Sequence, residues 1–372
     1  MPSGLARAQG TGKLDIHLDA GTPQIGITVA TGAVCQVQYA NLLAISNTWL
    51  CLTNLAVTAC PQWVTDTGQE GVTQRLYRAL AVSPNLVLIP GGTFRMGDAF
   101  GDLGADEVPV HDATVSAFYM ERTEVSKALW DIVFSWATNK GYDFSVNAGR
   151  AKALTHPATA MTWYDAVKWC NARSELEGLA PCYYTDAGQN VVYRSGQATI
   201  SNSFVNWQAN GYRLPTEAEW ERAARGGAEG MRFPWADTNV ISHTRANYVS
   251  NSGFPYDVSR TRGYNPAFTN APSPYTSPCG YFATNGFGLY DMAGNVWEWC
   301  WDWRDPYWYT NALASLPDTH GPEYVSPSRR VIRGGSWDSN APDCCCALRD
   351  GKSLTTSVTE NGLRCVRRAG GT

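Results

Sequence analysis

Beyond about Arg225, roughly 140 residues run toward the C-terminus with almost no helical period. Loops and short strands over such a length hold their shape in a compact domain only if something pins them, because irregular backbone must have its polar groups satisfied one by one. The chain carries 15 Trp and 18 Tyr, whose rings fill space that regular elements would otherwise fill, and 35 Gly for the turns. With 44% hydrophobic and 17% charged residues over 372 positions, it buries a large core, and disorder is excluded. A formal net charge of −4 without long charge runs gives no footprint for nucleic acid. No apolar run nears the roughly 20 residues of a membrane helix, so membrane insertion is not expected. The first dozen residues lack the charged-then-apolar pattern of a signal peptide, and no compartment follows from them.

Residues 1–13 are small and polar and predict a flexible start. From 14 to 82, short β runs at 14–18, 25–29, 35–39 and 49–52, broken by Gly, Asn and Pro, predict a small all-β, sandwich-like domain. Ser83-Pro84-Asn85 makes a linker. Three helices follow. Thr162 and Thr216 each stand three residues before an acid, Asp165 and Glu219, the signature of a capping box, and Gly226-Gly227 closes the second. Leu129, Ile132, Val133 and Trp136 fall at helical spacing after Ser126. Both capped helices are expected to be amphipathic. The eleven cysteines lack the C-x-x-C spacing of a zinc site or redox dithiol. Cys35, Cys51 and Cys60 fit as buried strand residues and Cys170 as core. In an oxidising compartment, Cys170 with Cys182 or Cys279 with Cys300 are candidate pairs.

Separated motifs carry a resemblance: Pro90-Gly91-Gly92-Thr93-Phe94, Glu107-Val108-Pro109-Val110-His111, Arg213-Leu214-Pro215-Thr216-Glu217, Gly288-Leu289-Tyr290-Asp291, Gly294-Asn295-Val296-Trp297-Glu298-Trp299, Arg333-Gly334-Gly335-Ser336-Trp337 and Gly362-Leu363-Arg364. In this order they resemble the formylglycine-generating enzyme, or sulfatase-modifying factor, family over about residues 84–368. The resemblance implies an α+β, C-type lectin-like fold with a small twisted antiparallel sheet, few helices and loops pinned by calcium.

Enzymes of that family resemble copper oxidases: two cysteines hold Cu(I), activate oxygen and convert a substrate cysteine to formylglycine. Soft sulfur ligands suit Cu(I). The matching positions here are Ser339 and Cys344. One thiol and a hydroxyl do not make a two-sulfur site, and the neighbours of Cys344 on an extended segment point away from it. No copper is therefore expected, and the copper-dependent oxidase is the alternative reading. His17, His111, His156, His243 and His320 provide no H-x₃-H pair for the family's related iron chemistry. Another group in the family, the variable proteins of diversity-generating retroelements, displays a hypervariable patch in which a reverse transcriptase rewrites adenines, mostly in Asn-type codons. Residues 338–361 look like such a segment, set between Gly-Gly-Ser-Trp and Asn-Gly-Leu-Arg. Cys344-Cys345-Cys346 is odd as designed core, whereas Cys, Asp, Ser, Gly and Leu are all reachable from an Asn codon. Lys352 and Glu360 are not reachable, so they belong to the framework or to other codons. The protein is then a binder rather than an enzyme. Its expected ligand surface is Asp338, Ser339, Asn340, Asp343, Cys345, Cys346, Leu348, Asp350 and Ser353, on a framework that includes Arg349, Gly362 and Arg364. The implied partner is a protein or other macromolecule of unknown identity, met by a monomer.

By the same resemblance, structural calcium is expected on the side chains of Asp291 and Glu298 and the carbonyls of Gly294 and Val296, hard oxygens on a Gly-containing turn. A second site would begin at Asn247 and the Tyr248 carbonyl, with Asp257 as the candidate distal acid. Trp297, Trp299, Trp301 and Trp303 alternate, which suits a packed strand better than a sugar groove. Glu217, Glu219 and Glu221 fit a helix cap and a solvated or salt-bridged surface better than paired catalytic acids, and His111 fits a structural role.

Overall fold

A computed structural model describes residues 85–369 and, ahead of them, seven strands: β1 (Arg7–Gln9), β2 (Lys13–Asp19), β3 (Thr22–Thr28), β4 (Val34–Asn41), β5 (Leu50–Ala56), β6 (Gln62–Thr65) and β7 (Arg75–Val82). The chain divides into two compact units between Leu86 and Val87. The first contains two sheets, ordered β1-β7-β4-β5 and β2-β3-β6, antiparallel except where β1 runs parallel to β7. Within the segment 1–13, Arg7–Gln9 forms a strand that pairs with residues about seventy positions away (Arg7 with Arg78), a partner no local pattern signals. The side chains of Cys35, Cys51 and Cys60 lie outside the described residues.

The second unit holds β8 (Leu86–Ile89), β9 (Gly92–Met96), β10 (His111–Val115), β11 (Phe118–Glu121), α1 (Lys127–Ala137), α2 (Trp163–Leu176), β12 (Tyr212–Arg213), α3 (Glu217–Arg225), β13 (Trp297–Trp303), β14 (Arg329–Arg333), β15 (Arg349–Ser353), β16 (Asn361–Gly362) and β17 (Val366–Arg368). They form the pair β10-β9 and two four-stranded sheets, β12-β17-β11-β8 and β15-β14-β13-β16. The helices begin where capping chemistry places them. Ser126 accepts from the Leu129 N–H, and Thr162/Asp165 and Thr216/Glu219 form reciprocal boxes, with Gly226 closing α3 at φ +59°. The amphipathic expectation fails for α2, where every residue from Trp163 to Ser174 is buried. Its polar residues are paired instead: Arg173 meets Glu121 at 2.5 Å, Lys168 meets Asp143, and the Asn171 amide donates to the carbonyls of Tyr183 and Tyr193. In a loop-rich domain this helix is wrapped by other segments rather than facing water. Among the described residues no helix is long and apolar enough to cross a membrane.

Between α3 and β13 the described backbone forms only isolated bridges, such as Asn247 with Gly294 and Val249 with Asn340. Short amides and acids do much of the pinning. Asn285 donates to the carbonyls of Ala223 and Ala224 at the end of α3 and accepts from the N–H groups of Phe287 and Leu289. Asp257 accepts from Tyr248, Ser250 and the N–H groups of Asn251 and Ser259. The tryptophans of β13 are packing residues: all seven positions of the strand are buried, and the Arg330 guanidinium lies 3.7–4.6 Å from the ring centroids of Trp163, Trp301 and Trp303. The acids of α3 are not solvated. Glu217 pairs with Arg349, Glu219 with Arg213, and Glu221 with Arg225 and Arg333, all inside the protein. His111 tilts against Tyr309 with ring centroids 4.5 Å apart. Cys170 finds Cys365, sulfur to sulfur 3.6 Å, a pairing not among those expected, while Cys279 and Cys300 lie beside different acids, Glu124 and Asp302.

Candidate functional site

Strand β14 is followed by Gly334 and Gly335, both at positive φ (+93° and +76°). A Cβ on Gly335 would stand 2.9 Å from the Asp343 carbonyl oxygen and 3.0 Å from the Cys344 sulfur, so the turn needs glycine there. The following segment folds back as a short 3₁₀ turn, Ala341–Cys344, started by a box between Asn340 and Asp343. Here the expected ligand surface divides. Asp338 is exposed and accepts from the Tyr264 hydroxyl at 2.8 Å; Asn340, Asp343, Leu348 and Asp350 are half-buried; Ser353, at the end of edge strand β15, is exposed. Cys345 and Cys346 are removed from the surface, being 1% and 0% exposed. Cys345 packs with Cys344, Phe233, Ile241 and Tyr248, and Cys346 with Phe94, Trp220 and Val331. Thiols are among the side chains most readily buried, and these fill core space on two sides of one segment. Ser339 is also buried, its Oγ 3.1 Å from that of Ser336. Sequence reasoning missed Tyr264, which stacks edge-on with Tyr275 and tilts against Trp337 beside Asp338. Its contact spans 74 residues, and nothing near Tyr264 in sequence signals it.

The two copper positions do not fit the metal. The Cys344 thiol sits in an apolar cluster, where burial first and the neighbouring Asp343 second push it well above the ordinary thiol range, and its counterpart is the hydroxyl of Ser339. Cu(I) favours soft sulfur ligands, and this pair offers one buried thiol and an alcohol.

For calcium, the turn entering β13 holds Asp291 at φ +55° and Asn295 at φ +67°, with Gly294 and Val296 flanking Asn295. Asp291 accepts from the Gly280 N–H through Oδ2 at 2.5 Å, while its buried Oδ1 has no partner. Burial pushes its carboxyl up to about 6. A hard oxygen left unpaired on such a turn fits calcium. Glu298 is differently placed: Arg364 grips both its oxygens at 2.8–3.0 Å, and Trp220 donates to Oε2 at 2.7 Å. At the second expected site the Asn247 side-chain amide donates to the Tyr275 carbonyl at 2.8 Å, the Tyr248 carbonyl lies 3.1 Å from His243 Nε2, and Asp257 receives four hydrogen bonds from its own loop. Among the described residues no three His, Cys, Asp or Glu side chains converge as a metal cluster, so backbone oxygens and water would complete the coordination of any cation.

Residues 73–369 match the family profile described as "Sulfatase-modifying factor enzyme 1-like domain". The chain is 33% identical over 294 residues to "Chaperone protein LppX" of Paenibacillus barcinonensis, covering 77% of this chain and 90% of that protein. It is 33% identical over 303 residues to a formylglycine-generating enzyme of Thermomonospora curvata, covering 77% and 94%. Among solved structures, "Treponema denticola variable protein 1" superposes with a TM-score of 0.57 at 28% identity, covering 76% of this chain and 95% of that one.

Proposed function

The chain belongs to the sulfatase-modifying factor enzyme 1-like family, and from that premise we propose that it uses the family's C-type lectin-like fold to bind a macromolecular ligand rather than to oxidise cysteine. One observation carries this reading: the segment that would hold copper presents a buried hydroxyl and a buried neutral thiol, while Asp338, Asn340, Asp343, Leu348, Asp350 and Ser353 of the same stretch reach solvent. Similarity to the Treponema variable protein supports the comparison with diversified scaffolds. The half-buried backbone around these side chains is fixed by β14 and the core cysteines, so side chains can vary there at little cost in ordering the backbone. Calcium at Asp291, together with carbonyls of its turn, would add rigidity by supplying fixed positive charge among the loops. The ligand is a protein or other macromolecule met by a monomer.

The reading makes a genetic prediction. Sequencing the coding region and its surroundings across a population should reveal a nearby reverse transcriptase and a near-identical repeat that differs only at adenines. Variation should concentrate at the six solvent-reaching codons. A neighbourhood lacking both repeat and reverse transcriptase, or variation spread evenly across 87–369, would contradict diversification.

A further inference from the structure

Two buried carboxylates in the second unit each keep one oxygen without a hydrogen-bond partner, and they face each other. Glu124 follows β11 and is 1% exposed; its Oε1 accepts from the Asn295 amide at 2.8 Å, and its Oε2 is unpaired. Asp291 offers the unpaired Oδ1 and lies within hydrogen-bonding reach of Glu124. Burying an unsatisfied carboxylate oxygen is costly, and burying two beside each other is costlier, unless a cation or a shared proton lies between them. The nearest guanidinium, Arg364, is committed elsewhere. It donates to both oxygens of Glu298 and to the carbonyls of Glu121 and Tyr290, and is itself 0% exposed. Drawing Glu298 toward a metal would strand that buried charge.

We propose that in this chain the second carboxylate of the calcium site is Glu124 and not Glu298. The inference rests on the calcium reading above and sharpens it. Charge balance supports it: Glu124, Asp291 and Glu298 against Arg364 leave two negative charges, which one divalent cation neutralises. The position of Glu124 is fixed by its neighbour, since the Val125 N–H donates to the Leu363 carbonyl and the Val125 carbonyl accepts from Ala158. The Asn295 amide that holds Oε1 lies between Gly294 and Val296, so Glu124 and the turn's carbonyls belong to one cluster. A groove of about 670 Å³, lined by Asp237, Arg245, Asn285 and Asp291, opens on the Asp291 side of this cluster.

The test is calcium titration of the chelator-treated full chain by calorimetry, with the wild type, Asp291→Asn, Glu124→Gln and Glu124→Asp. The wild type should bind one equivalent. Asp291→Asn and Glu124→Gln should each weaken binding by about 100-fold or more, the upper end of what loss of a supporting group costs. In Glu124→Gln the new amide oxygen can still accept from Asn295, so in chelator that variant should melt no lower than the wild type, and its weakened calcium binding then reports the lost ligand rather than a lost fold. Should Glu124→Gln not fold, Glu124→Asp serves, with the same expectation of weakened binding. Wild-type affinity in a folded Glu124 variant overturns the assignment while leaving calcium at Asp291. No binding by the wild type, with the pair sharing a proton instead, overturns both.

Discussion

Asp302 shows how this molecule handles charge away from water. It is 2% exposed and accepts from the Glu217 N–H at 2.7 Å; burial, reinforced by the negative charge of Glu217, pushes its carboxyl up to about 7 from an ordinary 3.8. Between these two values the folded protein holds a proton that the unfolded chain has released, so the unfolded state binds fewer protons and stability falls as pH rises through that window. The contribution approaches ~1.4 kcal/mol per pH unit near its centre. Thermal melts of Asp302→Asn, which keeps an acceptor for the Glu217 N–H, should fall less steeply between pH 4 and 7 than those of the wild type; identical slopes would refute the assignment. At this scale the sequence was only partly legible. The acids of α3 stood out, but their arginines come from positions as far away as Arg349, so pattern could not tell a buried ion pair from a solvated face. The same limit hid the burial of Cys345 and Cys346, whose neighbours Phe233 and Trp220 lie more than a hundred residues upstream.

Among the elements, the three helices were legible because their signals are local: a hydroxyl with an acid three residues on for α2 and α3, a closing glycine for α3, and apolar residues at helical spacing after Ser126 for α1. Strands β12, β16 and β17 were not, since two or three residues carry no period and exist only through distant partners, as Val366 does between Met120 and Arg213. The burial of α2 also escaped, because its polar residues suggested a wet face that is in fact paired inside the protein. One prediction belongs to this scale. Cys170 of α2 and Cys365, just before β17, lie with their sulfurs 3.6 Å apart, so a disulfide between them would fasten the helix to the sheet of β17. Mild oxidation should remove two thiols from the count in denaturant and stabilise the protein by about 3–5 kcal/mol, given the long loop enclosed. Cys170→Ser should show neither effect; an unchanged thiol count in the oxidised wild type would contradict the pairing.

For the whole molecule, the family motifs made the fold readable, and the long irregular segment is held by what its residues can do locally: Asn285, Asn295 and Asp257 satisfy loop backbone directly. Under the proposed function, change is tolerated at Asp338 and Asp350, whose side chains reach solvent. Ser339 and the buried Cys344 stand at the two positions that the resemblance gives to copper, and on them the binding account rests. The most direct test is oxygen uptake by the purified full chain with Cu(I) and a cysteine-containing peptide. Uptake should not exceed that of the protein-free control, and no aldehyde should form; copper-dependent turnover lost in Cys344→Ser would contradict the binding account.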